Sequence, residues 1–82
     1  MRIFMQSLAE SSEAPKYYQL ILQEDLLGGW TLIRQWGRMG ARGSSRTQQF
    51  PDRESAQSAL AEVRDQQQTK GFSVMFTQGG NP

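Results

Sequence analysis

Apolar residues alternate with polar ones along most of this chain at the two-residue period of half-buried strands, and in one stretch they switch to the period of a helix. If Arg2 to Leu8 is extended, Ile3 and Met5 lie on one side and Phe4 and Gln6 on the other. Lys16 to Glu24 separates Tyr18, Leu20 and Leu22 from Tyr17, Gln19, Ile21 and Gln23, and the first set is the better core face. Trp30 to Gly37, rich in aromatic and β-branched types, sets Trp30, Leu32, Arg34 and Trp36 against Thr31, Ile33 and Gln35. Both of its faces are part apolar, so period alone does not orient it. Ser44 to Phe50 alternates weakly and ends at Pro51, which predicts an edge strand. Phe72 to Thr77 predicts a last strand, with Phe72, Val74 and Phe76 alternating against Ser73, Met75 and Thr77.

The helical stretch opens at Asp52, whose carboxylate can accept from the orphan N–H groups of a first turn that also holds Glu54. Ala56, Ala59, Leu60 and Val63 recur at helical spacing, and the helix is expected to run to about Lys70 and stop at Gly71. Between the elements, Ala9 to Pro15 reads as a loop, and Glu24 to Gly29 as a hairpin turn whose Gly28-Gly29 pair supplies positive φ. Gly37, Gly40 and Gly43 mark a second connection. The order β, β, β, β, α, β predicts an α+β fold: a small antiparallel sheet with a single helix packed on one face. Trp30, Leu32, Phe50, Leu60, Val63 and Phe72 are assigned to its core. One domain over residues 1–78 and a frayed tail over 79–82 are expected.

Composition narrows the chemistry. The 82 residues include neither cysteine nor histidine, which excludes disulfides, zinc fingers, a His general base and a Cys nucleophile. Glu24-Asp25 and Asp52-Glu54 each have an ordinary turn or capping use, and Ser44-Ser45 has no histidine to activate it, so no catalytic residue, metal or cofactor is assigned. The longest apolar runs are too short to span a membrane, and Arg2 is followed by only Ile3, Phe4 and Met5 before Gln6, which fails as a signal peptide. A cytoplasmic protein is the reading.

Nine Lys and Arg against eight Asp and Glu leave a net charge of only +1, but the charge is divided along the chain. Between Arg34 and Arg53 stand five arginines and one acid, a local charge of +4; the remainder, with four basic and seven acidic residues, carries −3. The basic residues of this segment are all arginine, whose planar fork binds phosphate through two parallel hydrogen bonds. The plainer alternative is a solvated hairpin whose charges pair with Glu24 or Asp25 on the neighbouring turn.

The run from Gly28 to Gly40, which contains Trp36-Gly37-Arg38, together with Phe50, Ala56 and the closing Lys70-Gly71-Phe72, resembles the WGR domain over about Tyr17 to Phe72. That family takes its name from the Trp-Gly-Arg signature. It occurs beside the catalytic region of DNA-dependent poly(ADP-ribose) polymerases and as free-standing small bacterial proteins, and this chain is similar to the latter. The resemblance implies an antiparallel sheet with one helix and a role at DNA. By the same resemblance Trp36 is a stacking platform for a sugar, and Arg38 an interdomain or phosphate-side contact. A nucleic-acid-binding site is therefore assigned to Trp36, Gly37, Arg38, Arg34, Arg42 and Arg46. Structural uses compete at several of these positions: Trp36 as a core aromatic, Arg38 as a brace of its own turn, Gly37 and Gly40 as backbone geometry. The alternative function is a protein-interaction or self-assembly module that uses the same surface or a sheet edge, with Phe72 to Phe76 as an exposed apolar strand.

Overall fold

The computed structural model describes residues 1–7 and 14–79. Leu8, most of the expected loop before Pro15 and the last three residues of the tail lie outside them. The elements are β1 (Arg2–Ser7), β2 (Lys16–Glu24), β3 (Trp30–Arg38), β4 (Ser44–Phe50), α1 (Arg53–Thr69) and β5 (Phe72–Gln78). The five strands form one antiparallel sheet in the order β4-β3-β2-β1-β5. After β4 at one edge, the chain crosses a face of the sheet through α1 and adds β5 at the other edge, against β1. The fold is the α+β arrangement that the pattern predicts.

Period two decides which side chains meet the helix. Ile3 and Met5 of β1, Tyr18, Leu20 and Leu22 of β2, and Leu32 of β3 are buried with Ala56, Leu60 and Val63 of α1. Met5, Leu20 and Leu32 are fully buried, and each contributes about 1.5–3 kcal/mol over an exposed position. Trp30, Trp36, Phe50 and Phe72 pack half-buried around this cluster. The register aligns Tyr18 with Trp36, Leu20 with Arg34 and Leu22 with Leu32, which orients β3 where period alone could not.

Local chemistry fixes the ends of the elements. In the β2–β3 turn, one carboxylate oxygen of Asp25 accepts from Leu27 N–H at 2.8 Å and Gly29 N–H at 2.9 Å, and Gly28 takes a φ of +88°. Asp52 caps α1, accepting from Ser55 N–H at 2.7 Å. Hydrogen bonding from the Ser55 backbone, then from its side chain, holds the Asp52 carboxyl below the ordinary range. At the other end Lys70 N–H donates to the Gln66 and Gln67 carbonyls, and Gly71 turns the chain with φ +104°.

One strand departs from the alternation. Phe76 shares neither the face of Phe72 nor that of Val74: opposite β1, the register slips between Phe4 and Met5, so that Met75 is an extra residue and Phe76 faces Phe4. The bulge turns Phe76 onto the sheet face away from α1, where its ring lies 5.8 Å from that of Phe4, itself 6.3 Å from Tyr17. Gln19 donates to Gln35 at 2.7 Å on the same open face.

Candidate functional site

The register places the first residues of β2 beside the last residues of β3, and the chemistry of the chain gathers there. Tyr18 and Trp36 face each other across the strands with ring centroids 5.7 Å apart and planes 11° from parallel, and Phe72 of β5 meets Tyr18 edge-on at 5.9 Å. Arg34 Nε donates to the Tyr18 hydroxyl at 2.9 Å, which fixes the guanidinium and leaves its two terminal amino groups without a partner among the described residues. A cavity of about 440 Å³ opens over this group. Its cationic residues are Lys16, Arg34, Arg38 and Lys70; Tyr18, Trp36 and Phe72 supply aromatic wall, and Tyr17, Gly37 and Gln67 complete the lining. Among the described residues, no carboxylate lines it.

This concentration of charge runs against sheet stability. Lys16 stands directly opposite Arg38, and Arg34 directly opposite Arg46, two like-charge cross-strand pairs that each cost about 0.2–1 kcal/mol. Two of the described acids are employed elsewhere. Asp25, one of the two expected counter-ions beside Glu24, holds its own turn, and Asp65 pairs with Arg64 at 3.2 Å. Glu62 of the helix shares a neighbouring depression with Arg34, but no ion pair within 4.0 Å joins them.

Of the six residues assigned from sequence, Arg34, Trp36, Gly37 and Arg38 line the cavity. Arg42, in the turn after β3, and Arg46, on the edge strand, are exposed and lie outside its lining. Trp36 combines the two uses that compete for it: half-buried against the hydrophobic cluster, it also walls the cavity. Gly37 and Gly43 let the two arms of the hairpin touch. A Cβ on Gly37 would sit 3.0 Å from Gly43 Cα, and one on Gly43 would sit 2.7 Å from the Trp36 carbonyl oxygen and strike the Tyr17 hydroxyl. Lys16, Lys70 and Gln67 were not assigned from sequence, because they reach the cavity from the start of β2 and the end of α1. Phe72, read as core, is half-buried there. The signals were present in Lys16 beside Tyr17-Tyr18 and in Lys70-Gly71-Phe72, the closing run quoted for the family resemblance.

The WGR domain model matches residues 1–77, nearly the whole chain. The chain belongs to the WGR domain family. The WGR match begins before Tyr17 and ends beyond Phe72, because β1 and β5 pair with each other and complete the sheet. WGR is a non-catalytic, nucleic-acid-binding type of module. The chain is also similar to the uncharacterized protein y4dW of Sinorhizobium fredii (strain NBRC 101917 / NGR234), with 27% identity over 71 residues, 87% of this chain and 35% of that protein. It thus spans about a third of that relative's length. No solved structure matches this WGR chain. Among its described residues, no helix is long and apolar enough to cross a membrane.

Proposed function

We propose that residues 1–78 act as one non-enzymatic cytoplasmic module that binds nucleic acid, DNA first among candidates, at the cavity beside Trp36. One observation carries this reading: four cationic residues from β2, β3 and the end of α1 converge on a tyrosine–tryptophan stack. The terminal amino groups of Arg34, with Lys16, Lys70 and Arg38, take phosphates, while Trp36 packs on a sugar or base. Arg42 and Arg46 extend the positive surface toward phosphates beyond the cavity. Membership of the WGR family supports the ligand class, and the register supports the choice of residues.

Trp36 itself reports on the test. A Trp30→Phe background removes the other tryptophan, and short DNA is titrated at several salt concentrations while the remaining emission is followed. Four phosphate contacts give a log–log salt slope near −3.6 on duplex, about a hundredfold loss between 50 and 200 mM salt. Emission that never changes at low salt, or a salt-independent affinity, would overturn the reading.

A second reading, contact with a protein or a second copy, is favoured by a different surface. Leu26 and Leu27 stand fully exposed at the tip of the turn that Asp25 holds, and Val74, Met75 and Phe76 are exposed on the edge strand β5. Sedimentation of the wild type and of a Leu26→Ser/Leu27→Ser variant decides it: a concentration-dependent dimer lost in the variant supports this reading, and a strict monomer at tens of micromolar removes its self-assembly form.

A further inference from the structure

The tip of the β2–β3 turn is apolar where turns are ordinarily polar. Leu26 and Leu27 stand fully exposed there, so neither adds to the core. The turn that presents them is held firmly: Asp25 N–H donates to the Gly29 carbonyl at 2.9 Å, in addition to the two bonds that the Asp25 carboxylate accepts. Leucines fixed in this way lose little further freedom when a partner covers them. The surroundings of the tip are acidic. Glu24 is exposed and makes no ion pair with a described residue, and Asp25 adds a second carboxylate. Pairing of Trp30 with Phe50 brings Asp52 and Glu54 to the same end, beside Arg53, 5.6 Å over the Trp30 ring, and the Met1 ammonium, which donates to the Leu22 carbonyl at 3.0 Å.

The other end of the same two strands has the opposite character. Lys16, Arg34 and Lys70 surround the Tyr18, Trp36 and Phe72 rings, so positive charge frames apolar surface there as negative charge frames it at the tip. Lys16 and Glu24 are the two ends of β2, eight residues or roughly 26 Å apart, and the tip cannot enter the cavity of its own chain. It can enter that of another. Tip against tip would set carboxylate against carboxylate, whereas tip in cavity sets Glu24 and Asp25 beside Lys16 and Lys70 and lays the leucines on the rings. Building on the self-contact reading above, we propose that copies of this chain associate head to tail, the Leu26-Leu27 tip of one seated in the cationic cavity of the next. Such an interface is heterologous, and an open assembly of this kind leaves a free tip at one end and a free cavity at the other. A turn of this size covers less than a standard interface, which makes the association weak and reversible. Because the tip occupies the nucleic-acid site, self-association and DNA exclude each other.

Sedimentation velocity at tens of micromolar and low salt tests this on the wild type and two variants, each first shown to be folded by a circular-dichroism melt. Leu26→Ser/Leu27→Ser removes the tip and keeps the cavity, while Lys16→Glu/Lys70→Glu reverses two cations of the cavity and keeps the tip. The wild type should self-associate, less so as salt is raised, and each variant alone should do so at least about tenfold more weakly. Mixed together, the two variants should form a one-to-one complex, since each retains the half that the other lacks. A short duplex should dissociate the wild-type assembly. Undiminished self-association of Lys16→Glu/Lys70→Glu, or a mixture that forms no complex, overturns the proposal and leaves other self-contacts through the tip or the β5 edge standing. A duplex that binds without dissociating the assembly overturns it without recourse to any variant, and a strictly monomeric wild type removes the self-contact reading as well. A duplex that does not bind at all removes the nucleic-acid reading and the competition with it, while a one-to-one complex of the two variants would still support the head-to-tail contact.

Discussion

If the cross-strand cation pairs are maintained for a ligand, relieving them should stabilise the fold and weaken binding, and the two effects should separate by position. Lys16 faces Arg38, and Arg46 faces Arg34, but only Lys16 lines the cavity. Both Lys16 and Arg46 are exposed, so water and salt screen the repulsion and place each pair near the middle of its range, about 0.5 kcal/mol. For a domain of this size, Lys16→Gln or Arg46→Gln should each raise Tm by roughly 2–4 °C at low ionic strength. The pairs are four residues apart on β3, about 13 Å, so the double variant should show nearly the sum. Binding should divide them: Lys16→Gln removes one of four cavity cations and reduces a duplex salt slope of −3.6 by about 0.9, while Arg46→Gln changes it by less than half as much. Thermal melts by circular dichroism at low and high salt, paired with anisotropy titrations over a salt series, read both quantities. Wild-type Tm should itself rise with salt as the repulsion is screened. A lower Tm in Lys16→Gln, or an unchanged slope, would refute the claim that these cations are held in place for an anion.

Other expectations concern the frame that carries the site. Leu60→Ala removes a buried side chain between α1 and the sheet and should cost about 2–5 kcal/mol in urea unfolding. Gly43→Ala puts a methyl against the Trp36 carbonyl and the Tyr17 hydroxyl; it should destabilise the hairpin by about 1–3 kcal/mol and weaken DNA binding through displaced Trp36, seen as a shifted emission maximum. Asp52 has a lowered folded-state pKa, so the stability it adds is complete above the ordinary carboxylate range and is lost as pH falls through the lowered value. Asp52→Asn keeps a capping oxygen but cannot titrate, and should flatten the acid limb of a Tm profile taken from about pH 6 to about pH 2.

Much of this architecture is legible from local pattern. Tyr18, Leu20 and Leu22 alternate against polar neighbours and are the buried set of β2, and Asp52 caps the helix as its position before an apolar-periodic run predicts. Phe76 was not legible, because a bulge depends on how β5 pairs with β1, some seventy residues earlier, and a one-residue slip moves a side chain to the opposite face. The site was legible in part for the same reason. Counting charge along the chain finds Arg34, Arg38, Arg42 and Arg46 together, but the sheet register and the end of α1 select Lys16 and Lys70 as cavity neighbours of the first two. Gln67 gave no sequence signal, since a glutamine within Gln66-Gln67-Gln68 reads as solvated helix surface until packing buries it.

On the proposed reading, the ligand lies on the cations and rings at the junction of β2, β3 and α1. Titrating isotope-labelled protein with a short DNA end at about 20 mM salt, and mapping amide and indole shifts by NMR, tests it most directly. The largest shifts should fall on the Trp36 indole and on Tyr18, Arg34, Gln67 and Phe72, and they should recede as salt is raised. Shifts centred instead on Phe4, Ile21, Ile33 and Phe76 of the open face, or no shift at any DNA concentration, would contradict it.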